Sequence, residues 1–286
     1  MNAALRALLA ERIDYAGLFP PAALPMADAI ANFASYRENA DAWALARFVL
    51  PVVRLEEFEA VAAPHLRGAP WRLAVLAQRT DADAIRAFNG RMAGRAHIDT
   101  VESRAATVDD VAALAPLASL APTYVEIPVR EDPAPLVASM AAHGLRAKVR
   151  AGGVTGESFP RSSEVAQFLV ECVKHRVMLK ATAGLHHPLR GEYALTYDAE
   201  SARATMFGFL NVFLAASFAR QGMDAAELEE LLEERDTAAF QMDDDHVKWR
   251  GHALAVAALV NDRFAVSFGS CSFREPLDDL SALSFP

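Results

Sequence analysis

Short apolar runs begin at residues 71, 98, 123, 146 and 177, and segments with helical spacing fill the intervals of about 23 to 31 residues between them. Each interval is long enough for one strand, one helix and two short loops. Three further runs, IDYAGLF from residue 13, RFVLPV from residue 47 and FAVSFGSCSF from residue 264, extend the series to eight. Eight strand–helix units close into a (β/α)8 barrel, an architecture of typically about 250 residues. The chain of 286 residues fits it as a single domain over residues 1–286, with an expanded helical segment from 196 to 262 before the last strand. The rival is an open doubly wound sheet. No G-x-G-x-x-G turn follows the first strand, so the barrel is preferred.

The intervening helices carry their own signals. In SSEVAQFLVECVKH, Val165, Phe168, Leu169 and Cys172 fall on one helical face behind serines that suit a helix start. The lead segment MNAALRALLAERID reads as an amphipathic helix, too short and too charged for a membrane span. MFGFLNVFLAASFA, residues 206 to 219, is apolar all round, as a buried or subunit-interface helix would be.

Strands of a parallel sheet covered by helices on both faces should be almost wholly apolar. The middle strands are not. Successive side chains of a strand point to opposite faces. In IDTVESR, Thr100, Glu102 and Arg104 therefore share one face. Tyr124 and Glu126 share a face in TYVEIPV, as do Arg146, Lys148 and Arg150 in RAKVRAG, and Lys180 and Thr182 in VMLKATAG. The other face of each strand is apolar and suits a helical layer. The charged faces must then turn into the lumen and meet one another, because an unpaired buried charge costs several kcal/mol. Lys180 is expected opposite Glu126 or Glu102. The charges lie towards the C-terminal ends of their strands, where barrel enzymes hold their active sites.

Two lysines on adjacent strands beside a carboxylate suit Schiff-base chemistry with a carbonyl, and a glutamate can shuttle the protons. Lys180, Lys148, Glu126 and Glu102 are the catalytic candidates. The stretch AKVRAGGVTGESFPRSSEVAQFLVECVKHRVMLKATAGL, about forty residues, resembles class I aldolases of the deoxyribose-phosphate aldolase type. The resemblance implies a Schiff-base lysine in the Lys-Thr-Ser-Thr-Gly motif of that family, to which Lys180, Thr182 and Gly184 correspond. That family carries its lysine on the sixth strand. Here Lys180 falls on the seventh and Lys148 on the sixth, so Lys180 is the expected nucleophile and Lys148 the alternative, with Glu126 as proton shuttle.

Arg104, Arg150, His186, His187, Arg190, Arg274 and Glu275 form the candidate set for binding an anionic substrate. Such a basic lumen also resembles that of type II phosphoribosyltransferases, and the glycines of RAGGVTG and TAG would let backbone N–H groups approach an anion. A metal site at His186 and His187 with Glu102, Glu126 or Glu275 is a weaker reading, since no H-E-x-x-H or spaced Cys/His pattern occurs. The expectation is no metal and no cofactor. A non-catalytic barrel that self-associates through the apolar helix is the remaining alternative.

The net charge of −9 disfavours nucleic acid and anionic membranes as partners and leaves a small-molecule substrate. Two cysteines, Cys172 and Cys271, imply no disulfide framework and a reducing, cytoplasmic setting, and Cys271 reads as a small buried residue. The prolines of YAGLFPPAALPMADAI suggest an ordered wall at the barrel mouth. Asn211 reads as a satisfied core amide and DDDH at 243 to 246 as a solvated turn.

Overall fold

Each of the eight apolar runs falls on one strand of a closed parallel barrel in a computed structural model that describes residues 2–261, 264–283 and 285. Seven strands follow in chain order: β1 Ile13–Tyr15, β2 Leu45–Pro51, β3 Trp71–Leu76, β4 Ala96–Arg104, β5 Thr123–Glu126, β6 Arg146–Arg150 and β7 Leu179–Thr182. An insertion then carries β8 Gly191–Ala194, β9 Arg203–Met206, β10 Phe240–Met242, β11 His246–Trp249 and β12 His252–Ala255, and β13 Ala265–Ser270 closes the ring between β7 and β1. With helices alternating between the strands, this is a (β/α)8 barrel.

The outer face of the middle strands is the apolar one. Val101, Val125, Ala147, Val149, Leu179 and Ala181 are buried in the layer between strands and helices. Helix Ser162–Lys174 presents Val165, Phe168, Leu169 and Cys172 to that layer, as their spacing requires. Its cap differs from the expected serine: Arg161 takes the cap position and its backbone N–H donates to Glu164. Where helices cover β2 and β3 the layer is aromatic, with Phe33 and Phe58 of the helices each against Phe48 and Trp71 of the strands.

The insertion is not the expanded helical segment expected for 196 to 262, because strands interrupt its helices. β8 and β9 form an antiparallel hairpin, and β10 to β12 form a separate antiparallel sheet, with helices Phe209–Ala219 and Ala225–Glu233 between them. The reason is a period of two. On β11, Val247 and Trp249 are buried while His246 and Lys248 are exposed, a pattern that only a half-buried strand accommodates. The acidic DDDH stretch is the turn between β10 and β11, where the Asp243 carboxylate accepts the N–H groups of Asp245 and His246.

Helix Phe209–Ala219 is covered by the chain itself. It packs on helices Ser162–Lys174 and Ala225–Glu233 and on β13. Asn211 is fully satisfied there: its Nδ2 donates to the carbonyls of Leu231 and Glu234, and its Oδ1 accepts from the Arg190 N–H. No free apolar face of this helix remains to join subunits. Among the described residues, no helix is long and apolar enough to cross a membrane.

Candidate functional site

The barrel lumen holds a chain of alternating charges. Near the N-terminal end of the strands, Asp99 accepts from Arg72 at 2.7 Å and from Arg47 at 2.5 Å. Arg47 reaches on to Asp14 at 3.5 Å. Asp14 also accepts from the Ser267 hydroxyl at 2.6 Å and from Lys180 Nζ at 2.7 Å. Lys180 donates in addition to Glu102. The other oxygen of Glu102 lies 2.7 Å from Lys148 Nζ, which stands 2.9 Å from Glu126. Glu126 is flanked in turn by Arg104 and Arg150, each at 3.2 Å. Strand register sets this sequence, because Lys148 pairs with Lys180 across β6 and β7 and with Glu126 across β5 and β6.

Neighbouring charges hold Glu102, Glu126 and Lys180 ionised. Burial acts to raise the Glu102 pKa, but the two lysine ammonium groups outweigh it and bring that carboxyl down to about 2. The Glu126 carboxyl is lowered against the same desolvation by Lys148, Arg150 and Arg104. For Lys180, burial acts to lower the pKa, yet Asp14 and Glu102 raise it above the ordinary lysine value. Lys180 is therefore a fixed ammonium, wholly buried, with its charge spent on two carboxylates.

Above this chain lies a cavity of about 490 Å³ at the C-terminal end of the barrel. Glu102 and Lys148 form its floor, and Lys180 does not reach it. Phe19, Pro20 and Pro21 from the proline-rich loop after β1 form one wall, as their composition suggested. The β8–β9 hairpin covers another with Tyr193, Tyr197 and Arg203. Three polar atoms in and beneath the floor remain over among the described residues: Asp14 Oδ1, which has only Arg47 at 3.5 Å, and two beside the cavity. Thr182 Oγ1 is buried without a hydrogen-bond partner, and Glu126 Oε2, although ion-paired, accepts no aligned hydrogen bond. A ligand hydroxyl or carbonyl is the natural partner for Thr182, since buried polar groups are otherwise almost always bonded.

The turn after β7 is strained. Ala183 has φ 61° and Gly184 φ 68°, and the left-handed region is unfavourable for alanine. A Cβ at Gly184 would lie 2.9 Å from both Gly152 Cα and the Phe159 ring, so only glycine lets the loops after β6 and β7 pack together. The turn delivers His186 and His187 to the cavity rim. Their rings diverge. His186 Nδ1 lies 3.0 Å from Glu275 and 4.0 Å from Cys271, whereas His187 bonds to Asp279 and stacks on Tyr193. Among the described residues, no three potential ligands converge closely enough to hold a metal ion.

The expected site residues thus divide. Glu102, Lys148, Arg150, His186, His187 and Glu275 line the cavity, and Glu126, Lys180 and Arg104 stand behind it as partners. Arg190 and Arg274 are elsewhere. Arg190 pairs with Glu233 and lies over the Phe207 ring, and Arg274 bridges Asp41 and Asp278. Neither guanidinium lines the cavity, and each is taken up by carboxylates outside it. Asp14, Arg47, Ser267 and Tyr197 belong to the site and were not foreseen. A lone Asp between Ile13 and Tyr15 was a usable signal for the first; Tyr197, on a hairpin tip, offered none. No protein-family model matches the chain, and no curated protein matches it in sequence.

Proposed function

We propose that the chain is a barrel enzyme acting on a small anionic carbonyl compound, and that Lys148 forms a Schiff base with it. One observation carries this. Of the two lysines side by side on β6 and β7, Lys148 opens onto the cavity while Lys180 lies sealed beneath it. The local likeness to aldolases of the deoxyribose-phosphate type divides between the two, its motif falling on Lys180 and its strand position on Lys148. Arg150 and Arg203, both lining the cavity, favour an anionic substrate.

The proposed steps balance on residues at hand. Lys148 gives one proton to Glu126, and its neutral nitrogen adds to the carbonyl carbon. The carbonyl oxygen takes one proton from that nitrogen and one back from Glu126, then leaves as water. The iminium so formed accepts the electron pair of the bond between its α and β carbons as that bond breaks, while the β-hydroxyl gives its proton to Glu126 and the fragment leaves as an aldehyde. Glu126 then supplies that proton to the enamine carbon, and hydrolysis restores the amine. Lys180 positions Glu102 and keeps a positive field beneath Lys148.

Borohydride reduction of the full chain with a panel of small aldehydes and 2-oxo acids tests the reading. The expected result is a mass increase on the peptide that contains Lys148, absent from Lys148→Arg and retained in Lys180→Arg. An adduct on Lys180 alone would reverse the assignment of the nucleophile. No adduct on either lysine across the panel rejects Schiff-base chemistry. Tight binding of inorganic phosphate together with that negative result favours the second reading, an anion-binding transferase, which the packed glycine loops after β6 and β7 support.

A further inference from the structure

We propose that Cys271, paired with His186, is a second reactive centre of the cavity: a thiol placed for covalent attack on a small anionic electrophile. This centre stands apart from Lys148 and does not depend on Schiff-base formation. Four separate segments build it. Cys271 follows β13, His186 follows the strained turn after β7, Tyr197 comes from the β8–β9 hairpin, and Glu275 from helix Arg274–Ala282. All four side chains line the same cavity. The Cys271 sulfur lies 4.0 Å from His186 Nδ1 and 3.5 Å from the Tyr197 hydroxyl, and Glu275 lies 3.0 Å from each of those two partners.

The groups facing the sulfur favour its ionised form. They are His186, Tyr197 and the Ala22 backbone N–H, while the more remote Glu275 carboxylate and Tyr15 act against it as like charges. Burial acts to raise the thiol pKa, but the contacts with His186 and Tyr197 outweigh it and lower it. Burial likewise opposes charge on His186, yet Cys271 and Glu275 raise its pKa to about 9. A thiolate beside an imidazolium is the state in which a cysteine attacks. Cys172 makes the contrast within one chain, because it is sealed in the helix–strand layer and its thiol is pushed well up by burial.

In the proposed step the thiol proton resides on His186, and the sulfur forms a bond to the electrophilic carbon. With a carbonyl acceptor, the C=O π pair moves to oxygen, which takes the proton from His186. With a haloacid, the halide leaves with the bonding pair. Arg150 and Arg203 supply the attraction for an acid group on the acceptor.

Iodoacetate and iodoacetamide label the thiol and together test both the reactivity and the ligand class. Rates are measured on the full chain against pH, with peptide mapping and N-acetylcysteine as reference. Cys271 is expected to label while Cys172 does not, with a midpoint below the free-thiol value of about 8.5. Its preference for iodoacetate over iodoacetamide should exceed that of the reference thiol by about ten-fold or more. His186→Gln should slow labelling at neutral pH by about ten-fold or more and move the midpoint upward. Absence of labelling at Cys271, a midpoint at or above that of the free thiol, or a folded His186→Gln variant with an unchanged profile overturns the thiol–imidazole centre. An unshifted iodoacetate preference overturns the anionic class. Should His186→Gln unfold, revealed by labelling of Cys172, the wild-type profile decides alone.

Discussion

Beneath the floor of the cavity Asp14 and Lys180 are sealed from solvent, their charges answered by each other, by Glu102 and by Arg47. At its rim His186, Glu275 and Tyr197 enclose a thiol that still faces the cavity. Both clusters pair a cation with carboxylate, so residue type does not separate them. Access does. A charge whose partners occupy all its directions holds strands in place, whereas one with a direction left open is available to a ligand. The same distinction divides Lys180 from Lys148, neighbours in register whose ammonium groups differ in what lies beyond them.

The largest effect should come from the sealed lysine. Lys180→Met leaves Asp14 and Glu102 facing each other without their shared cation and is expected to lose about 3–5 kcal/mol of stability in urea unfolding. Lys148→Met should lose clearly less, about 1–2 kcal/mol, since Glu102 keeps Lys180 and Glu126 keeps Arg104 and Arg150. Equal losses would erase the contrast between the sealed lysine and the one that lines the cavity.

The two clusters should also fail at opposite ends of the pH scale. Glu102 has its pKa lowered to about 2, so its stabilisation is complete above the unfolded carboxylate value and is lost as pH falls towards 2. It corresponds to about 3 kcal/mol. His186 has its pKa raised to about 9, so its stabilisation is complete below the unfolded histidine value of about 6.5 and is lost as pH rises through 9. Thermal unfolding across pH should show both limbs, and His186→Gln should flatten the alkaline limb, worth about 1–3 kcal/mol, while leaving the acid limb intact. An alkaline limb that survives the substitution would remove His186 from the account.

The smallest change belongs outside both clusters. Arg274→Ala removes a half-exposed guanidinium from Asp41 and Asp278 and should alter stability by less than about 1 kcal/mol. It should leave Cys271 labelling unchanged, because Arg274 does not face the cavity. A large effect on labelling would show that the last helix transmits to the rim.

Much of this was legible in the residues. The strands appear as eight apolar runs, and the inward faces of β4 to β7 appear as polar or charged residues two apart, because a strand alternates sides whatever surrounds it. The insertion was less legible, since its strands are short and follow a strongly helical stretch. In the site, Glu102, Lys148 and Lys180 could be named from one strand each. Their partner Asp14 could not be assigned so directly, because Lys180 lies 166 positions away.

Local order along the chain therefore establishes the barrel and the polarity of its interior, since both follow from side-chain alternation and segment length. Which ammonium is enclosed and which opens to a ligand arises only when β13 closes the ring between β7 and β1. Closure brings Asp14 and Ser267 under Lys180, and the loops beyond the strands place Cys271 against His186. Those contacts join distant segments, and burial, which sets their electrostatic strength, exists only in the folded molecule.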